Sequence, residues 1–214
     1  MTDWATISSL ATAGGTLVLA IATFASVRSA NRAARAAEAA LLEGLRPVLV
    51  ASRPQDPPEK VRFADDRWVR IPGGGGVIDR DDGRFYLGMA LRNVGRGMAV
   101  LHGWHLTTRV LSGPVDHPEP GDFRRLVRDL YVAPGDTGFW QGALRDPADP
   151  LNGELAEAVD RGDGITIDLL YGDIEGGQRM ISRFALTPRE SDDGSVRWLI
   201  SAARHWNLDR NDPR

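Results

Sequence analysis

"ISSLATAGGTLVLAIATFASV", Ile7 to Val27, is a run of twenty-one residues without a charged side chain. Eight are strongly apolar (Ile7, Leu10, Leu17, Val18, Leu19, Ile21, Phe24, Val27), and the rest are Ala, Ser, Thr and the pair Gly14-Gly15. As a helix rising ~1.5 Å per residue it is roughly 30 Å long, which matches the hydrocarbon core of a bilayer. The strong residues favour insertion by ~0.3–0.6 kcal/mol each, together about 2.5–5 kcal/mol. A helical backbone satisfies its own hydrogen bonds, so the hydroxyl side chains are the only added polar cost. Trp4 sits just outside the run, where an aromatic ring suits the headgroup layer. A cleaved signal peptide would need a basic amino end, and this one carries Asp3 and no Lys or Arg. A soluble helix buried in an oligomer is a further alternative, but the length and the absence of charge favour a membrane span. Residues 1–28 are read as a transmembrane anchor.

Arg28, Arg32 and Arg35 follow at once, and nothing basic precedes the span except the amino terminus. The positive-inside bias then predicts a single pass through the cell's inner (plasma) membrane, with the amino terminus outside and the carboxyl side cytoplasmic. The absence of cysteine fits a cytoplasmic domain. The arginines either hold anionic lipid headgroups, at about 1 kcal/mol each, or only fix topology. "RSANRAARAAEAALLEG", Arg28 to Gly44, is alanine-rich and free of proline, so the helix is expected to continue as a basic juxtamembrane segment over 29–44. It should end at Gly44, because Arg46 precedes Pro47 and is steered away from helical geometry. Ala11 and Gly15 form a small-xxx-small pair on one face, which suggests homo-oligomerisation through helix pairing.

Beyond the stalk, about 170 residues remain, ample for one core. The domain is placed at 45–205 and a polar tail at 206–214. Three basic and three acidic residues fall in the first 43, leaving 23 basic against 26 acidic in the remainder. This mild acidity argues against sequence-independent nucleic-acid binding. Lys60 is the sole lysine, a bias read as coding preference rather than phosphate recognition.

Leu45 to Ser52 reads as a short apolar strand, and a proline-rich loop, "RPQDPPEK", leads to a strand near Arg67 to Ile71. Gly73 to Gly76 and Asp79 to Gly83 look like turns. In "RFYLGMALRNVG" Phe85, Leu87, Met89 and Leu91 alternate onto one face, and a second strand, about Met98 to Val110, is expected to pair with it as a hairpin across Gly95-Arg96-Gly97. Leu126 to Val132 and Thr137 to Leu144 form another hairpin-like unit around Pro134-Gly135-Asp136. One helix is signalled, with Asp149 as cap, Pro150 in its first turn, Leu151, Leu155 and Val159 on one face, and Gly162 as stop. Strands with Ile165, Ile167, Leu169 and Tyr171, then Met180, Ser182, Phe184 and Leu186, then Val196 to Ala203, complete the chain. The fold class expected is mainly β: a transmembrane helix and Ala-rich stalk, then an antiparallel immunoglobulin-like β-sandwich of about eight strands with one short helix.

An amino-terminal span with a basic stalk, "LRP" at Leu45 to Pro47, "LRNVGRGMA" at Leu91 to Ala99 and "LYGDIEGG" at Leu170 to Gly177 occur together. In this the chain resembles a group of uncharacterised bacterial single-pass membrane proteins with a cytoplasmic immunoglobulin-like sandwich. The resemblance implies the same topology, a strand-turn-strand role for the Asn-x-Gly-x-Gly-x-Ala stretch, and no particular activity.

No residue pattern amounts to a catalytic or cofactor motif. His102 and His105, three apart in a strand, should face opposite ways and not share a metal, and His117 and His205 lack ligand spacing. Gly73 to Gly76 and Gly95-Arg96-Gly97 lack the helix or Lys-Ser/Thr end of a phosphate loop. Asp168, Asp173 and Glu175 are the carboxylates nearest to a paired arrangement, and Asp173 is read instead as an Asx-type turn former bonding two residues on. Asn93 is expected to fix the turn beside Gly95. Trp104, Trp140, Trp198 and Trp206 are core or interaction rings, with Trp206 expected to be exposed. No cofactor is expected. The leading expectation is a non-enzymatic, membrane-anchored interaction module that contacts membrane lipid and a protein partner, not nucleic acid. A membrane-tethered hydrolase using loop carboxylates is the alternative. A stalk bundle that conducts or senses is a third idea, although the span has no ionisable residue to line a pathway.

Overall fold

The computed structural model describes residues 3–191 and 194–210, in two compact units, Met1–Gly44 and Leu45–Arg214. In the first unit, α1 (Trp4–Gly44) runs unbroken from the apolar run into the alanine-rich stalk. Its large apolar side chains are exposed all round, with Leu10, Val18 and Leu19 each about two-thirds accessible. A helix apolar on every side suits lipid rather than one packing face. The Thr12 Oγ donates to the Ser8 carbonyl and the Thr16 Oγ to the Thr12 carbonyl, each at 2.9 Å, so these hydroxyls need no partner from the surroundings. The helix is long and apolar enough to span a membrane.

The second unit is antiparallel β. Its strands are β1 (Leu49–Ala51), β2 (Glu59–Arg62), β3 (Trp68–Ile71), β4 (Gly75–Asp81), β5 (Arg84–Asn93), β6 (Ala99–Thr107), β7 (Arg124–Val132), β8 (Thr137–Leu144), β9 (Ile165–Gly172), β10 (Arg179–Glu190) and β11 (Val196–Asn207). One layer has β5 at its centre, with β8 along one edge and β4 and β1 sharing the other. The second layer runs β7-β6-β9-β10-β11. The layers join at one corner, where Gly75 and Gly76 pair with Leu199 and Trp198, so nine strands form one curled sheet. This is the mainly β, immunoglobulin-like sandwich architecture that the alternating strands suggest.

Between the layers lie Phe85, Leu87, Met89 and Leu91 from β5, Ile165 to Tyr171 in alternation from β9, and Met180, Phe184 and Leu186 from β10, around a fully buried Trp140. Helix α2 (Pro150–Asp160) adds Leu155 and Ala158, and Asp149 caps it by accepting from the Leu151 amide at 3.1 Å. Its most buried positions are Asn152, Leu155 and Ala158, with Leu151 and Val159 flanking that stripe. The outer faces are covered too. The β2–β3 hairpin lays Val61, Phe63, Val69 and Ile71 over Tyr86 and Ala90, while Phe123 and Trp206 close over Leu170 and Ile181.

Several expectations change. The strands β5 and β6 do not pair: the Asn93 to Gly97 turn carries the chain from one layer to the other. The same holds for β7 and β8, which belong to opposite layers. Gly73 and Gly74 form a turn as read, but Gly75 to Asp81 is a strand, along which Asp79 and Asp81 both bind Arg67, at 2.7 and 2.6 Å, so of the second expected turn only the tip remains. The reversal is confined to Asp82 and Gly83, both at positive φ. The last strand reaches Asn207, so Trp206 lies within it, only 4 % exposed.

Candidate functional site

The strands β7 and β8 follow one another through a turn at 133–136 yet sit in different layers, so they splay apart from that turn. Among the described residues neither forms a ladder on its second edge. Pairing of β7 with β6 is also interrupted: Leu101 opposes Leu130 and Gly103 opposes Arg125, which leaves Leu126 to Asp129 bulged out. The result is a groove of about 370 Å³, a size common for small binding sites. Trp104 and Leu130 lie at its apolar base, and the β8 edge contributes Gln141, Gly142 and Ala143. Trp104 is held edge-on to Trp140 at 5.4 Å.

Five arginines line this groove (Arg62, Arg124, Arg125, Arg128, Arg145) against one carboxylate, Asp66, in a chain whose net charge is −3. Three have carboxylate partners. Arg124 binds Asp149 at 2.7 Å, Arg145 reaches Asp65 at 3.3 Å, and Arg62 pairs with Asp66. Arg128 donates only to neutral oxygens, the Arg62 carbonyl at 3.3 Å and Gln141 Oε1 at 3.4 Å. Arg125 is exposed and has no carboxylate partner among the described residues. The hydrogen bond from Arg124 holds the Asp149 carboxyl below its usual range, which keeps it charged. Ascribing arginine to coding preference overlooked this cluster. The signal available was "RRLVR" (Arg124 to Arg128) in a strand of an otherwise acidic domain.

Asn93 is fully buried and uses its whole amide. Its Nδ2 donates to the carbonyls of Gly97 (2.7 Å) and Val132 (3.0 Å), and its Oδ1 accepts from the amides of Val48 (3.1 Å) and Gly95 (3.0 Å). A Cβ on Gly97 would collide with the Leu45 carbonyl, and one on Gly95 with that of Arg46. "LRP" and "N-x-G-x-G" are thus two sides of one contact, a structural role.

The carboxylates considered for hydrolysis do not converge. Asp168 is fully buried and takes two bonds from Arg183, at 2.8 and 3.1 Å. Burial pushes its pKa above the usual carboxylate range, against the pull of Arg183. Arg183 also donates to the carbonyls of Val115 and Asp116, which pins the loop before β7 over the sheet. The Asp173 Oδ1 accepts from the Gln178 amide at 3.1 Å, so it closes its turn across five residues instead of two.

The histidine reading changes as well. The β6 irregularity between Leu101 and Gly103 shifts the alternation by one, because Leu101 and Trp104 both face the core. His102, beside Gly172, and His105, opposite Asp168, therefore share the outer face. Among the described residues no three His, Asp or Glu side chains are grouped to hold a metal. The Ser182 Oγ lies between Tyr171 Oη (2.8 Å) and His205 Nδ1 (2.6 Å), but Ser182 is fully buried and the trio sits against the Leu49 amide as a core network.

On α1, Arg28, Arg32 and Arg35 lie together along one face with Asn31, next to Phe24 and Val27. Ala11 and Gly15, one turn apart, are exposed. No protein-family model matches this chain, and no curated protein matches it.

Proposed function

We propose that this chain is a membrane-anchored interaction module that holds a partner protein at the cytoplasmic face of the inner (plasma) membrane. Helix α1 spans the bilayer with its amino end outside. Arg28, Arg32 and Arg35 sit at the level of the inner headgroups, where each gains about 1 kcal/mol from anionic lipid. A second copy pairs through Ala11 and Gly15, whose small side chains let two backbones approach. The β-sandwich acts as the recognition part, and its work is binding rather than catalysis.

The observation that carries this reading is the combination, in one chain, of an all-round apolar helix and a sandwich in which, among the described residues, two strand edges are unpaired beside a lined groove. Unpaired edges offer main-chain donors and acceptors to another chain, and natural sheets usually cover them. Two experiments test the reading. The chain should stay in the membrane pellet through high-salt and alkaline washes, and a reporter fused after Arg214 should be active only in the cytoplasm. Purified in mild detergent, the full chain should bring down a protein partner in near-stoichiometric amount. Release by salt, an external reporter, or purification without a partner would overturn it.

A further inference from the structure

Resting on that reading, we infer that the groove between β7 and β8 binds a short, extended, carboxylate-rich segment of the partner protein. Three observations converge on this ligand chemistry. The groove concentrates five arginines in a domain with more acidic than basic residues, so its positive charge is local and not part of a basic surface. Arg125 and Arg128 have no carboxylate partner among the described residues, whereas Arg62, Arg124 and Arg145 each do. The β8 edge at Gln141 to Ala143 forms no second ladder among the described residues and lies along one wall, so an extended chain there gains main-chain hydrogen bonds while its carboxylates reach Arg125 and replace the neutral oxygens on Arg128.

The surroundings decide against a long polyanion. Asp65, Asp66 and Asp149 are bonded to arginines of the groove and Asp129 to Tyr131 beside it, so carboxylates ring the groove and would repel phosphates that continued past it. A nucleic acid needs a run of positive charge to gain from counterion release, and the charge here ends with the groove.

The test uses the full chain in nanodiscs of zwitterionic lipid, which removes any attraction of the stalk arginines to anionic headgroups. Fluorescent nine-residue peptides are titrated and read by anisotropy: one alternating Glu with Val, one alternating Gln with Val, and a single-stranded oligo-dT. The acidic peptide should bind, weakening about tenfold or more when monovalent salt rises from roughly 50 to 300 mM, as expected for exposed ion pairs. Arg125→Glu with Arg128→Glu should abolish that binding, and Arg125→Gln alone should weaken it several-fold with an unchanged melting temperature. Failure of the acidic peptide to bind, equal binding of the Gln peptide, tighter binding of oligo-dT, or binding indifferent to these substitutions would each overturn the inference. If the double variant still co-purified with its partner, the groove assignment would fail while the interaction-module reading stood.

Discussion

The Arg46 guanidinium forms a fork on the Asp209 carboxylate, with bonds of 2.9 and 2.7 Å, and it also donates to Asn207 Oδ1 at 3.1 Å. The residue that follows the stalk by two positions is thereby fastened to the end of β11, so the first and last parts of the β unit close on each other. Arg46→Ala should lower stability of the detergent-solubilised chain by about 2 kcal/mol, as for other charge-assisted hydrogen bonds, measured by urea titration. The bond from Arg46 holds the Asp209 pKa below its ordinary value. Its contribution is therefore complete above the unfolded carboxylate pKa of about 3.9 and is lost as pH falls through the lower folded value. Asp209→Asn should remove that part of the acid limb and leave the rest.

Asn93 should tolerate no replacement well. With Ala there, four main-chain groups, one buried and three partly so, lose a partner, and the cost should be about 2–5 kcal/mol. Asn93→Asp is the more telling variant, because it keeps the shape and removes the two donated bonds to Gly97 and Val132. Denaturant midpoints should fall for both, and a midpoint unchanged in the Asp variant would refute this account.

Breaking the Asp168–Arg183 pair from one side should cost about 3–5 kcal/mol, because the remaining charge stays buried without its partner. Arg183→Met should also free the segment at Val115 and Asp116, seen as faster amide exchange and proteolysis before β7. The double variant Asp168→Asn with Arg183→Met should recover part of the loss. Equal destabilisation by the double and the sum of the singles would show that the two residues do not act together.

On the proposed topology, replacing Arg28, Arg32 and Arg35 with Glu should reduce the cytoplasmic fraction of a reporter fused after Arg214, since the charge bias proposed to orient the span is then gone. Replacing them with Gln should have a smaller effect on orientation but should lower retention on anionic over zwitterionic vesicles. An orientation unchanged in both sets would remove the basis for assigning topology to these residues.

Local features could be read from residues close in sequence. The uncharged run over Ile7 to Val27 specifies a helix long and apolar enough to span a membrane. Asp149 and Pro150 specify a helix start, because a cap acts within three residues. Alternation in β5, β9 and β10 identified which side chains enter the core, since a strand's two faces are set by its own pleat.

Pairing was not legible in the same way. The strands β5 and β6, like β7 and β8, are neighbours in sequence with a turn between them, the usual mark of a hairpin, yet each pair is divided between the two layers. That choice depends on distant residues: Asn93 bonds Val48 on one side and Val132 on the other, and Leu45 blocks any side chain at Gly97. The β6 bulge likewise reverses the facing of His102, an effect invisible in a count of residues.

What this sequence determined by itself is therefore the long apolar helix, its basic flank, the strand faces and the capped helix, all governed by interactions within a few residues. The tertiary structure alone decided which strands share a layer, that two edges form no second ladder among the described residues, and that arginines from three parts of the chain line one groove. The physical reason is that charge clustering and edge exposure are properties of strands brought together across long loops, and no local period records them.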